Sequence, residues 1–438
     1  MATLTYTRSE QIPVTHDMDV LVVGGGPGGI GAAVMAARAG ARVLLVERYG
    51  FPGGMATAGE VHPFMLNHVH GVCLDKPVYV DWVKAMQAYR LPAERPAPER
   101  LEEVPTGGTR AIVKEAAMLA AEDLCLEAGV DLLYHHTLAD VEMDDDGRIE
   151  ALVFFSKSGF SAIRGRVVID CTGDGDVAAW AEAPFEQGGP TGACQPMTLC
   201  FKLGAVDCAR MPTRTEISAR YEAARQRGEL SCPREDVLYF PWVEEGVVHF
   251  NTTRILKRSA TVGAELSVAE IEARQQVREF LHFFRREVPG FEKCRLYSMA
   301  HQIGIRESRR VRGQAYLTRE DFERCARFPD AVSRVHYPID IHNPEGGGTT
   351  HFRLPDNEWY EIPYGCIVPL EVRNLLVGGR PISVDHAVHS SMRVMPPACS
   401  VGQAAGMAAA LCVERNAAPA DLDGREVRRR LADAGAFL

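Results

Sequence analysis

Six of the eight positions 24–31 are glycine, within the stretch "VVGGGPGGIG". Gly24, Gly26 and Gly29 spell G-x-G-x-x-G, and Glu47 follows Gly29 by 18 residues, just after the next apolar run. Without a Cβ, glycine lets backbone N–H groups close on a pyrophosphate. A helix opening there adds partial positive charge, and a carboxylate at that distance accepts hydrogen bonds from a ribose diol. The spacing reads as a dinucleotide site; a bare glycine turn would need no acid behind it. A second chemically capable group lies far along the chain. "HQIGIRESRRVRG" (301–313) holds Arg306, Glu307, Arg309 and Arg310, and histidines stand in "YPIDIH" (His342) and in "SVDHAVHSSMR" (His386, His389). Arginine pairs with carboxylates through parallel N–H bonds, and histidine exchanges a proton near neutral pH.

These residues need a scaffold. Positions 20–23 form an apolar run short enough for a buried parallel strand. Behind the turn, Ala33 and Ala37 continue Gly29 at four-residue spacing, so the helix lies close on the sheet, and Gly40 ends it as a left-handed cap. "RVLLVE" (42–47) is the second strand, and Gly53-Gly54 beyond it bring another backbone segment toward the same ligand. "LADVEM", "IEALVFF" and "FSAIRGRVVID", joined by "DDDGR" and "SKSG", predict a three-stranded meander over 138–170. The aspartates at 144–146 read as a solvated turn, since they lack the spacing of a calcium loop.

This succession resembles the two-dinucleotide-binding flavoproteins of the glutathione-reductase type. In that superfamily a meander precedes a return strand ending in A-T-G. The return here is "VVIDCTGDGD" (167–176), with Cys171 where alanine is usual. The superfamily's closing strand, glycine-aspartate pair and flavin-facing helix are matched by "NLLVGGRPIS" (374–383) and "RVMPPACSVGQAAGMAAAL" (393–411). The ordered series "FPGGMATAGEV", "QPMTLCFKLG", "IGIRESRRVRG", "YPIDIH", "EIPYGCIVPL" and "NLLVGGRPIS" is similar to a bacterial subfamily of FAD-dependent oxidoreductases with an R-E-S-R-R signature. The likeness runs from about Ile12 to Val413.

The resemblance implies an α/β fold: a Rossmann-like FAD-binding domain, with a parallel sheet plus the meander, and an inserted α+β substrate domain. It implies FAD along Gly24, Gly26, Pro27, Gly28, Gly29, Glu47, Arg48, Gly53, Gly54 and Met55. It also implies contacts at Ala139, Thr172, Gly173, Asp174, Gly379, Arg380 and Val401. One departure matters: Gly378-Gly379-Arg380 stands where many relatives carry glycine-aspartate, so the carboxylate on the ribityl chain is absent or supplied elsewhere. His62 and Cys171 are conceivable points of covalent flavin attachment, but nothing in the spacing demands it.

A flavin carries the electron chemistry, so the protein must place a substrate carbon, move a proton and hold any anionic group. Arg306 and Arg393 are candidates for the cofactor or a substrate carboxylate; His386 and His342 are candidates to take the proton. Arg309 and Arg310 read as structural ion pairs and Tyr364 as core. No third ligand of clear spacing joins His386 and His389, so no metal is expected. The expected activity is hydride movement between a small organic molecule and flavin N5, as dehydrogenase, oxidase or reductase. The alternatives are a noncatalytic FAD electron-transfer subunit and an NAD-only dehydrogenase. A flavin monooxygenase is less favoured, because the motifs of that branch are not apparent.

The FAD domain is expected at 1–189 plus 365–438, around a substrate domain at 190–364. Within the latter, Ser267 and Glu270 suggest a capping box. Val277, Phe280, Leu281, Phe284 and Val288 then give a buried helical stripe, stopped by Pro289-Gly290. The segment 90–110, rich in proline and charge, reads as a loop before a helix near Ala111. With 48 basic and 58 acidic residues, a net charge of -10 and no basic tail, nucleic acid is not an expected partner. The twelve cysteines include no C-x-x-C, which suits a reducing compartment. No apolar run of 18 residues and no signal-peptide core are seen, so a cytoplasmic protein away from membranes is expected, with a homo-oligomer left open.

Overall fold

The computed structural model describes residues 11–89 and 112–438. The segment 90–110 therefore lies outside the described residues, and the helix expected near Ala111 is seen as Lys114–Glu127. The main sheet is mixed and mostly parallel. Its order is Asp131–Leu133, Val43–Val46, Val14–Val23, Gly159–Asp170, Ile149–Ser156 and Thr137–Met143, and Leu375–Val377 also pairs with Gly159–Asp170. Val20, Leu21 and Val22 have no exposed surface, as a strand covered on both faces requires. That strand begins earlier than the apolar run 20–23, because its polar first half lies parallel to Gly159–Asp170.

Gly159–Asp170 joins the meander to the parallel strands. Ile163 near its start pairs antiparallel with Leu152, while Val168, Ile169 and Asp170 pair parallel with Leu375, Leu376 and Val377. Consequently the turns after Val23, Val46, Asp170 and Val377 leave the sheet at one carboxyl edge, where ligands of open parallel sheets bind.

The helix Pro27–Arg38 packs on Met395–Arg415 almost backbone to backbone. A Cβ added at Gly402 would stand 1.9 Å from the carbonyl oxygen of Gly28, and one at Gly31 would stand 2.2 Å from that of Cys399. This contact sets the two helix N-termini beside each other at the same edge. Met395–Arg415 is the one helix among the described residues long and apolar enough to cross a membrane. Its apolar window is 94% buried inside the protein, as in a core helix.

A second, antiparallel sheet has the order Tyr239–Pro241, Val248–Phe250, Phe201–Gly204, Arg295–Met299. Against it lies the helix Gly263–Glu287, whose Phe280 and Phe284 meet Phe201 and Phe250. The expected stripe is buried here, with Leu281 partly so. The expected capping box is not: the helix starts at Gly263, so Ser267 is internal, and Glu270 instead pairs with Arg274 and accepts the N–H of Ile303 at 2.6 Å. The apolar core around this sheet runs from Met197 to Ile305, whereas side chains from Val311 to Ile362 pack into the core of the main sheet.

Candidate functional site

A cavity of about 780 Å³ runs along the carboxyl edge of the main sheet and on to the second sheet. Gly24, Gly26, Pro27, Gly28, Glu47, Arg48, Gly54 and Met55 line its first part. Thr172, Gly173, Asp174, Gly379 and Arg380 continue it, and Arg306, His342 and Arg393 stand at the far end. Thus three of the four candidate catalytic residues and most of the candidate cofactor residues share one space.

The glycines divide by role. A Cβ at Gly29 would lie 1.8 Å from the oxygen of Gly24, and one at Gly24 would lie 2.4 Å from that of Cys171. Those two glycines serve the chain's own packing, and Gly29 does not line the cavity. At Gly26 an added Cβ meets nothing nearer than the Cα of Gly54 at 3.8 Å, so it would fill the cavity instead. The helix that starts at Pro27 has no side-chain cap, which leaves its end available to an anion. Glu47 closes the same end. Its carboxylate accepts the N–H of Gly25 at 2.7 Å and of Tyr49 at 2.9 Å, which leaves lone pairs for a diol. This cradle fits a dinucleotide.

Four other expected contacts fall outside the lining. Gly53 instead ties the second glycine segment to the first, donating its N–H to Gly25 at 2.7 Å with φ at 109°. Ala139 gives way to Thr137 and Leu138 on the same strand. Val401 sits one turn too deep in its helix and is fully buried, so Met395 and Ala398 of the first turn border the cavity. His386 is the fourth. Its Nδ1 lies 2.8 Å from Glu307, and its ring packs where a side chain on Gly189 would be.

Arg380 is matched by a carboxylate: it donates to Asp174 at 2.6 Å, and Ser308 donates to the same oxygen. The acid missing from the Gly-Gly-Arg loop is thus present beside it, contributed by the Thr172-Gly173-Asp174 turn. Asp170 holds that turn by accepting from the backbone and hydroxyl of Thr172 and from the N–H of Ala178. His62 and Cys171 also border the cavity.

The stretch 301–313 is a strand only at Arg309–Val311. Glu307 lies 2.6 Å from Arg310 and Arg309 pairs with Asp176 at 2.8 Å, so both arginines are held in structural ion pairs. Arg306 is different. It donates to the carbonyl of Pro196 at 2.7 Å and to Asn251 at 3.4 Å, and no carboxylate among the described residues stands within ion-pair distance. Burial, then the positive charges of Arg393 and Arg234, lowers its pKa to about 9.

His342 accepts an Arg254 N–H on Nδ1 at 3.1 Å, so its proton sits on Nε2, 3.5 Å from Asp340. Burial, followed by the Arg306 charge, lowers its pKa to about 3. Burial pushes the Asp340 carboxyl up, but His342 and Arg393 outweigh it and hold it well below the usual range. Tyr364 is core, with its hydroxyl donating to Pro419 at 2.8 Å. No group of three His, Cys, Asp or Glu among the described residues could hold a metal ion.

Sequence reading missed Arg234, Asp340, Leu238, Phe240 and Asn251, which also line the far end. Asp340 lay two residues from a recognised histidine; Arg234, in "CPREDV", carries no periodic or motif signal.

Comparison with known proteins gives the family of the chain. The soluble pyridine nucleotide transhydrogenase of Escherichia coli K12 is 35% identical over 81 residues, which span 18% of this chain and only 17% of that protein. Among solved structures, a geranylgeranyl bacteriochlorophyll reductase-like protein from Thermoplasma acidophilum is 14% identical, covering 96% of this chain and 84% of its own at a TM-score of 0.48. The p-nitrophenol 4-monooxygenase of Pseudomonas putida is 12% identical, covering 95% and 85% at 0.46. The family profile of FAD dependent oxidoreductases matches residues 19–431, nearly the whole length. The chain belongs to that family.

Proposed function

We propose that this FAD-dependent oxidoreductase moves a hydride between its cofactor and a small, carboxylate-bearing organic molecule bound at the Arg306 end of the cavity. The reading takes the parallel strands with the glycine turn as a Rossmann-type FAD domain of the R-E-S-R-R subfamily, and 190–364 as the substrate domain. FAD, when bound, supplies the two-electron chemistry. Gly26, Glu47, Thr172, Asp174 and Arg380 would hold it; the surrounding residues bind and orient the substrate.

One observation carries the reading: among the described residues, the cavity-lining guanidinium of Arg306 is paired only with neutral oxygens. A carboxylate arriving there gains a charge-assisted bidentate contact and relieves the repulsion from Arg393 and Arg234. His342 is an unsuitable base toward the substrate, because its acceptor nitrogen is taken by Arg254. It holds Asp340 in place. The Tyr337 hydroxyl donates to Asp340 at 3.4 Å, so the guanidinium groups supply the donors for negative charge developing on a substrate oxygen.

The test is anaerobic. Purified holoprotein is mixed with carboxylate metabolites, and separately with NADH or NADPH, while the visible flavin absorption is followed. Bleaching by a carboxylate supports the oxidative direction. Bleaching by a nicotinamide, followed by recolouring with an unsaturated or keto acid, supports the reductive one. A flavin that stays oxidised throughout refutes the reading. In Arg306→Gln, KM should rise about 10- to 100-fold, the worth of one charge-assisted contact.

A further inference from the structure

The far end of the cavity holds more positive charge than one carboxylate needs. Arg214, Arg234, Arg306 and Arg393 line it, with Arg254 directly behind. Against these five guanidinium groups stand three carboxylates. Asp236 pairs with Arg234 at 2.9 Å and also with Arg214, Glu235 pairs with Arg254 at 3.1 Å, and Asp340 lies 3.9 Å from Arg393. His342 stays neutral, because burial and Arg306 depress its pKa. An excess of two positive charges is left; Arg214 and Glu235 reach solvent, while Arg234, Arg254 and Arg393 are largely buried.

Two of these arginines also carry buried donors that lack a partner. Arg234 is 5% exposed, yet its Nη1 has no hydrogen-bond partner among the described residues; the same holds for Nε of Arg393. Buried donors without partners are costly, and here both belong to charged side chains lining the cavity. They come from different parts of the wall. Arg234 precedes the strand Tyr239–Pro241, while Arg393 follows the helix His386–Met392, beside Asp340 and Gln195. Leu238 and Phe240 add an apolar surface to the same cavity.

We propose that the substrate is a small dicarboxylate, one carboxylate held by Arg306 and Arg393 and the other by Arg234, with its carbon chain along Leu238 and Phe240. This deepens the reading of the cavity end as the substrate site and rests on it. A dianion neutralises the excess; a monoanion leaves Nη1 of Arg234 without an acceptor.

The experiment is calorimetric titration of the FAD-loaded protein with succinate and glutarate, and with butyrate and succinamate as monoanions of similar length. A dianion should bind at least about tenfold more tightly than the matching monoanion, one charge-assisted contact more. Arg234→Gln should bring the diacid-to-monoacid affinity ratio down to about one, and Arg234→Lys should restore part of the difference. Equal affinity of diacids and monoacids, absence of diacid binding, or an unchanged ratio in Arg234→Gln overturns the proposal. Should Arg234→Gln fail to fold, the wild-type ratio and Arg234→Lys decide. Diacid-selective binding without flavin bleaching would sink the hydride reading alone; bleaching by monoacids with no diacid preference would sink the dicarboxylate alone.

Discussion

Gly26 is where the fold and the cofactor can be separated by a single substitution. Its φ of -70° and ψ of -176° suit any residue, and the nearest atom to an added Cβ is 3.8 Å away. In the protein without cofactor, replacing it restricts the unfolded chain, worth about 0.4–1 kcal/mol, and forfeits the modest preference for glycine at a helix N-cap, of similar size and opposite sign. The net change in stability of Gly26→Val should thus be within about 1 kcal/mol. Cofactor binding should suffer far more, because the valine methyl groups occupy the space through which backbone N–H groups reach a pyrophosphate. Losing two charge-assisted hydrogen bonds at about 1.5–3 kcal/mol each weakens binding by roughly 100- to 10,000-fold. Gly28→Val is the contrasting variant: its Cβ would lie 2.8 Å from the Cα of Gly379, so the fold itself must shift. The assay is FAD titration of the deflavinated protein by fluorescence quenching, alongside thermal melts without FAD. Wild-type FAD affinity in Gly26→Val, or a melting loss equal to that of Gly28→Val, would refute the reasoning.

Other outcomes follow from the same geometry. His386→Ala should retain FAD and keep turnover within about twofold, since the ring lies outside the cavity lining and pairs with Glu307; a large loss of kcat at normal FAD content would return His386 to the reacting centre. Glu307→Ala should destabilise the protein by about 1–3 kcal/mol, because it removes the nearer carboxylate of the buried Arg310, leaving Glu186 at 3.4 Å, and the acceptor of the Gln195 N–H. A urea midpoint near that of the wild type would contradict this. His389 is fully buried with neither ring nitrogen hydrogen-bonded among the described residues, and burial, then the charges of Arg310, Arg380 and Arg393, keeps it neutral in the fold. The unfolded chain takes up that proton near pH 6.5, so the stability is present above that pH and is lost as pH falls, by up to about 1.4 kcal/mol per unit. His389→Gln should flatten the fall in melting temperature below pH 6.5; parallel slopes would show that the group does not contribute.

What the sequence made legible is what neighbouring residues settle among themselves. The glycine turn, the strand before it and the acid after it constrain one another over a few dozen residues. The meander likewise follows from alternation and turn chemistry, so its first strand starts within one residue of the reading. Where a local pattern fits two settings, it misleads. Ser267 and Glu270 have the spacing of a cap, but the same spacing occurs inside any helix, and this one had already begun at Gly263. His386 follows the Gly-Gly-Arg loop in sequence and so promised to face the flavin. Asp385 caps the short helix by accepting the N–H of Val388 at 2.7 Å, and the first residue of that helix is turned to Glu307. The far end of the cavity is the extreme case. Arg234, Asn251, Arg306, Asp340 and Arg393 come from separate stretches of the chain, none of them inside a helix, and only Asp340 inside a strand. No periodicity links them, and an arginine such as Arg234 in "PRED" reads like any solvated loop until folding sets it beside Arg306. A cofactor gripped by backbone leaves its mark as glycines at fixed spacing. A cavity end lined by side chains from scattered loops, as around Arg306, leaves none, because no spacing in the chain records which loops folding brings together.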